Sequence, residues 1–220
     1  MISPKYSLTN YFYPSLASKT PPNVVNLYFD YNCPFSARLY VKLQDTVIPQ
    51  LQEKHADKFQ FVYVNVVQPW HPNSVLLNEF ALVVGKLLRE KGGENTNKLF
   101  WDVSRAIYDH KEHFYDQANV ELNRNEIYKQ IAKIAFSKVK LPFSENDVLD
   151  QLTFKQEPVN QIELNPGNGA TTDLKYFTKY LRNVGVHVTP TVSVNGIIAD
   201  SVSSGTEPNE LVKVFESFLG

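Results

Sequence analysis

The first strong pattern along the chain is the apolar and aromatic run Asn23-Val24-Val25-Asn26-Leu27-Tyr28-Phe29, which has the length of a strand and ends in Asp30-Tyr31-Asn32-Cys33-Pro34-Phe35-Ser36. From Cys33 to about Lys54, the residues Leu39, Leu43, Val47 and Leu51 recur at four-residue spacing and share one helical face. Pro49 is expected to kink or end that helix, because it lacks the N–H for the preceding turn. Phe59 to Val67 follows as a second strand rich in β-branched and aromatic residues. Two strands joined by a helical crossover of roughly 20 residues form a parallel βαβ unit.

From about Pro72 to Val184 the pattern turns almost wholly helical. Leu76, Phe80, Val84 and Leu87 form one stripe, Phe100, Val103 and Ile107 a second, and Ile127, Ile131 and Ile134 a third, the last opened by Asn123 and Glu126 in capping-box register. Ser144 and Asp147 repeat a weaker start signal before Val148, Leu149 and Leu152. The breaks fall at Lys91-Gly92-Gly93-Glu94-Asn95 and at Asn165-Pro166-Gly167-Asn168-Gly169. Leu174, Phe177 and Leu181 mark a last helix of this block, stopped by Gly185 as its C-terminal cap.

A sheet pattern then returns. Thr191-Val192-Ser193-Val194 alternates, Asn195-Gly196 is a strong hairpin signal, and Ile197-Ile198-Ala199 pairs back. Thr206 is expected to cap a final helix carrying Leu211, Val212, Phe215 and Phe218. The order is β-α-β, a helical block, then α-β-β-α.

Composition narrows the function classes. The 22 basic and 23 acidic residues leave a net charge of -1, which argues against non-specific binding to nucleic acid or to an anionic membrane. One cysteine in 220 residues excludes an internal disulfide and suits a reducing compartment. The segment up to Pro22 is broken by Pro4, Pro14, Pro21 and Pro22 and does not read as a signal peptide, so a soluble, cytoplasmic protein is the expectation. No Cys/His cluster supports a metal site, and no glycine-rich strand-helix loop supports a nucleotide phosphate.

The chemistry gathers at Cys33. A cysteine between a strand and a helix sits where unpaired N–H groups and the positive end of the helix dipole favour thiolate over thiol. Pro34 fits the first helical turn, where its absent N–H costs nothing. Ser36, three positions on, lies on the same side as the sulfur and either donates to it or faces solvent.

Cys33-Pro34-Phe35-Ser36, after an apolar strand and within this element order, resembles the active site of the thioredoxin superfamily, and of its DsbA-like branch in particular, whose motif is Cys-Pro-X-Cys. The resemblance covers most of the chain. It implies an α/β thioredoxin-like domain split into about 1–70 and 171–220, with a helical insertion domain over 71–170 after the second strand. Ser36 replaces the resolving cysteine, and Leu27 stands where the dithiol enzymes usually carry a buried acid. The motif is therefore read as a one-thiol variant. The resemblance also makes Thr189-Pro190 the counterpart of the superfamily's cis-proline, which lies opposite the cysteine and leaves the preceding backbone free to pair with a bound thiol substrate.

Gln68-Pro69-Trp70-His71-Pro72 follows the second parallel strand, so this loop is expected at the edge of the sheet that holds Cys33. There Trp70 is either a substrate wall or a cover for the insertion, and His71 either a proton donor or a plain loop residue. Pro34 and Phe35, with Trp70, His71, Thr189 and Pro190, complete the expected substrate site around catalytic Cys33 and Ser36. His187 is a further candidate for the cleft, whereas His55, His110 and His113 are expected on the solvated surface. The favoured reading is a monothiol thiol-disulfide oxidoreductase with no tightly bound cofactor, acting on a protein or small-molecule thiol or disulfide, with glutathione as co-substrate and resolving thiol. Two others stand beside it. One is a transferase or isomerase similar to the kappa-class glutathione transferases, which carry Ser-Pro-X-Ser at this position; the other is a redox-inert binding module that kept the fold.

Overall fold

The computed structural model describes residues 1–12, 21–154 and 165–220. Pro14, one of the prolines invoked above, and residues 155–164 of the expected insertion lie outside the described residues.

A four-stranded sheet has the order β2-β1-β3-β4, built from β1 (Asn23–Phe29), β2 (Phe59–Asn65), β3 (Thr191–Val194) and β4 (Ile197–Ile198). β1 runs parallel to β2 with Asn23 opposite Phe59, and antiparallel to β3 with Val25 opposite Val194. The Asn195-Gly196 turn joining β3 to β4 has positive φ at both residues, 53° and 88°, as the tight hairpin requires. On the outer side of β2, Phe12 N–H donates to Phe61 and Tyr63 N–H to Asn10, so the N-terminal segment covers an edge that would otherwise be free to pair with another chain.

The crossover between β1 and β2 contains α1 (Pro34–Lys42), a π-helical turn over Leu43–Val47, and α2 (Ile48–Lys54). Pro49 neither ends nor breaks this helix. The wider turn before it lets Ile48 N–H reach back to the Leu43 carbonyl, and Pro49 then occupies a first-turn position where no N–H is needed. The expected stripe of Leu39, Leu43, Val47 and Leu51 remains buried throughout.

Between β2 and the last two strands lie α3 (Ser74–Lys91), α4 (Thr96–Asp109), α5 (Arg124–Lys138), α6 (Glu145–Leu152) and α7 (Thr171–Val184). Both capping boxes form, at Asn123–Glu126 and at Ser144–Asp147, and Gly185 closes α7 in the left-handed conformation at φ 68°. Thr206 does not cap the final helix α8 (Pro208–Glu216). Pro208 fits the first helical position, which makes Glu207 the N-cap and leaves Thr206 outside, its carbonyl accepting from Lys42 Nζ at 2.8 Å.

The buried apolar residues of the sheet and of the helical block form one continuous core. Its joint is aromatic. Tyr31 stacks on Tyr63 with ring centroids 5.1 Å apart, Tyr40 on Trp101 at 5.6 Å, and Tyr40 meets Tyr108 at 4.8 Å. Each phenol has a partner: Tyr63 and Tyr108 share a 2.7 Å hydrogen bond, Tyr31 pairs with Ser104 at 2.8 Å, and Tyr40 donates to the Trp101 carbonyl at 2.7 Å. Helices α3–α6 are thus fastened through α4 onto the crossover and β2.

Candidate thiol site

Cys33 is the N-cap of α1, with extended backbone (φ -82°, ψ 119°) and Pro34 next in line. The thiol is buried, with the residue 3% exposed. Its hydrogen-bond partner is the carbonyl oxygen of Thr189 at 3.5 Å, and the Thr189–Pro190 peptide bond is cis. The strand-to-helix turn is fixed from inside: Cys33 N–H donates to the Asp30 carbonyl at 3.1 Å, and Asn32 N–H to Asp30 Oδ1 at 2.9 Å.

Asp30 organises the floor of the site. It has no exposed surface, and besides Asn32 it accepts from Ser74 Oγ at 2.7 Å and from Gln68 N–H at 3.3 Å, with His71 Nδ1 at 2.9 Å. The 2.9 Å contact with Asp30 Oδ2 fixes the orientation of the His71 ring and leaves Nε2 as its other nitrogen. Leu27 is buried and apolar; the buried acid of this site stands three residues further along the strand end.

Gln68 completes a ring of contacts. Its N–H reaches Asp30 Oδ2, while its side-chain Nε2 donates to the His187 carbonyl at 3.2 Å and lies 3.5 Å from Thr189 Oγ1. The loop after β2 and the segment before β3 are thereby tied together beside the sulfur. His187 contributes its carbonyl, and its side chain is exposed.

Ser36 is buried, and its Oγ accepts from Asp30 N–H at 3.3 Å. The hydroxyl therefore faces the strand end rather than solvent. Pro34 and Phe35 stand exposed beside the thiol; Phe35 is 52% exposed, with the Arg38 guanidinium 5.8 Å from its ring centre. Trp70 is 58% exposed, with its ring edge-on to that of His71 at 6.1 Å between centroids. His55 is not freely solvated: its Nε2 lies 3.1 Å from Glu216 Oε1 and links α2 to α8. His110 Nδ1 lies 2.9 Å from the Ala106 carbonyl, and His113 is exposed.

The helical block also reaches the site. Asn32 and Asn73 both donate through Nδ2 to the Phe114 carbonyl, at 3.2 and 2.9 Å, which holds the α4–α5 connection against the strand end. The next residue, Tyr115, has its phenol pKa raised by burial first, then by the Glu112 carboxylate and the charge of Cys33. Asn32 Oδ1 is buried there with no hydrogen-bond partner among the described residues. Asp30, Gln68 and Tyr115 were not singled out by sequence reasoning. An acid ending an apolar strand is a detectable signal for Asp30; nothing local marks the other two.

The chain thus brings together a helix-capping cysteine, the Thr189–Pro190 segment opposite it, and a helical block after the second strand. The fold is the DsbA-type variant of the thioredoxin-like fold, as comparison with solved structures shows. The chain is similar to a provisionally assigned protein-disulfide isomerase from Pseudomonas syringae, with TM-score 0.64 and 23% identity over 87% of this chain and 92% of that one. It is similar to BdbD from Bacillus subtilis in its oxidised form, with TM-score 0.57 and 18% identity over 97% and 95% of the two chains. It is also similar to the thiol-disulfide exchange protein alpha-DsbA2 from Wolbachia pipientis, with TM-score 0.54 and 19% identity over 95% and 87%. No protein-family profile matches the chain, and a comparison with curated proteins finds no match.

Proposed function

We propose that this protein is a monothiol thiol-disulfide oxidoreductase in which Cys33 is the nucleophile and an external thiol, such as glutathione, resolves the mixed disulfide. The observation that carries this reading is the Cys33 sulfur at the start of α1, facing the Thr189 carbonyl beside cis-Pro190. The solved structures of this fold named above include a thiol-disulfide exchange protein, which supports the same chemistry.

In the first step the Cys33 thiolate attacks one sulfur of a mixed disulfide between glutathione and a substrate. A Cys33–glutathione disulfide forms, and the substrate leaves as a thiolate that takes up a proton. A second glutathione thiolate then attacks the glutathione sulfur, releases Cys33 as thiolate and forms oxidised glutathione. Two electrons pass from glutathione to the substrate disulfide, and one cysteine suffices. Thr189 offers backbone for a bound peptide to pair with, Phe35 and Trp70 supply apolar contact, and His71, held through Nδ1 by Asp30, orients its ring at the edge of the site. The cycle needs a supply of reduced thiol, in keeping with a single-cysteine protein of the cytoplasm.

The test is turnover of the mixed disulfide of glutathione and 2-mercaptoethanol in the presence of reduced glutathione. Wild type should turn over and Cys33→Ser should not. A wild-type rate equal to that of Cys33→Ser would reduce the protein to a redox-inert binder with this fold.

A further inference from the structure

A cavity of about 420 Å³ lies between the loop after β2 and the second half of α7. Gln68 and His187 stand in its lining, and the hydrogen bond between them is the one that ties the loop to the Thr189 segment. The cavity thus begins one hydrogen bond away from the backbone that faces the sulfur. Val66, Leu174, Phe177 and Leu181 make its walls apolar. No carboxylate lines it, and Arg182 is its one permanent charge.

The positive charge continues along α7. Lys175, Lys179 and Arg182 are four and three residues apart and share one face of the helix. All three are exposed, and none has an ion-pair partner among the described residues. A neighbouring hollow shares Leu174, Thr178 and Arg182 with the cavity and adds Lys175 and Lys179. The acids at hand are already used: Asp173, the acid of α7, is held by Lys5 and Arg89, and Glu79, the carboxylate of the second hollow, by Arg124 and Tyr128. A groove lined by one sign of charge attracts the opposite sign, although the chain as a whole carries a net charge of -1.

The dimensions suit an extended chain. From Lys175 to Arg182 the helix rises about 10 Å at about 1.5 Å per residue, the span of about three extended residues. A peptide paired with the Thr189 backbone comes level with His187 after about two residues and passes over the cavity with the next.

Resting on the monothiol reading, we propose that the preferred substrates are disulfides of polypeptides with an apolar side chain about two or three residues from the reacting cysteine and acidic residues beyond it. The apolar side chain enters the cavity against Phe177 and Leu181, and the carboxylates pair with Arg182 and Lys179. The sulfur exchange is the one described above, and the groove decides which disulfide is presented to Cys33.

The test uses two synthetic peptides, each with a central cysteine joined to glutathione and, on either side of it, a glycine, a leucine and a pair of aspartates; in the second peptide asparagine replaces aspartate. With reduced glutathione as resolving thiol, wild type should turn over the aspartate peptide with kcat/KM about three- to tenfold above the asparagine peptide, the worth of one or two exposed ion pairs. The advantage should shrink in high salt and vanish when Lys179→Glu and Arg182→Glu are combined, both being exposed positions of α7 outside the thiol machinery. Equal kcat/KM for the two peptides, or a preference that survives the charge reversal, would overturn the proposal while the turnover itself keeps the thiol reading in place. A reversal that slows both peptides alike would assign the cations to glutathione's own carboxylates and would also overturn it. Cys33→Ser, labelled with nitrogen-15 and titrated with the S-methylated aspartate peptide, should show saturable shifts at Thr178, Arg182 and His187. Those shifts without wild-type turnover would support the groove and remove the thiol reading, so the two failures are distinguishable.

Discussion

The sulfur of Cys33 lies 3.5 Å from the carbonyl oxygen of Thr189, although 156 positions of chain separate the two residues. What holds them together is Gln68, whose backbone meets Asp30 below the sulfur and whose side chain meets the segment from His187 to Thr189. Gln68→Ala should cost about 1 kcal/mol of stability, the value of an ordinary hydrogen bond. It should slow the reaction of Cys33 with a small disulfide by about tenfold, because a small misplacement of the opposing backbone is costly to positioned chemistry. Denaturant unfolding and stopped-flow exchange measure the two effects. Lost stability with an unchanged exchange rate would assign Gln68 a structural part alone.

Asp30 is the buried anchor of the same floor. Asp30→Leu removes the acceptor of Ser74, of two backbone N–H groups and of His71 at once, and should destabilise the fold by more than about 1–3 kcal/mol, the cost of a single buried donor left unpaired. Asp30→Asn keeps the shape and part of the acceptor capacity and should cost about 1–3 kcal/mol. Chemical denaturation of the two variants gives the order directly.

The tyrosine joint predicts an alkaline limit. Burial first of all pushes the phenols of Tyr31, Tyr40, Tyr63 and Tyr108 well above their ordinary value. The folded chain therefore keeps these protons at a pH where the unfolded chain has released them. Their stabilising contribution is complete below about pH 10, the unperturbed phenol value, and is lost as pH rises above it. In an alkaline titration the last part of the tyrosinate absorbance, that of the buried phenols, should appear in one cooperative step together with the loss of circular dichroism, after the partly exposed tyrosines have titrated. Gradual titration of all twelve tyrosines in a protein that stays folded would contradict the buried joint.

The α6 cap responds to pH in the opposite sense. Asp147 is held well below the usual carboxylate range by the Lys91 ammonium, and then by the Ser144 hydroxyl and backbone N–H. A lowered carboxyl pKa stabilises above the unfolded value of about 4 and loses that contribution as pH falls through the folded one. The difference in unfolding midpoint between wild type and Asp147→Asn should be fully present at neutral pH and should shrink in acid.

Much of this architecture is legible in sequence because the signals are local. Asn123–Glu126 and Ser144–Asp147 mark helix starts three residues apart, Gly185 marks a helix end, and Asn195-Gly196 marks a hairpin. Thr206 misled because the proline two residues later decides where α8 begins, and the helix runs on past Pro49 because a π turn absorbs its missing donor. The site was legible as far as Cys33 and the cis-Pro190 segment. Gln68, Asn73 and the Phe114-Tyr115 turn escaped because their roles exist only through contacts between segments far apart in the chain. The Ser36 hydroxyl could not be aimed from helical spacing alone, which gives the side of the helix but not the competing Asp30 N–H.

The central claim is that the one cysteine works alone as an exchanging nucleophile. Intact-mass measurement after exposure to oxidised glutathione tests it most directly, with Cys33→Ser as control. A single glutathione adduct on wild type, absent from Cys33→Ser and removed by reduced glutathione, is the predicted result. Native protein that acquires no adduct, while the same chain in denaturant acquires one readily, would contradict the account and leave Cys33 as a buried, inert thiol.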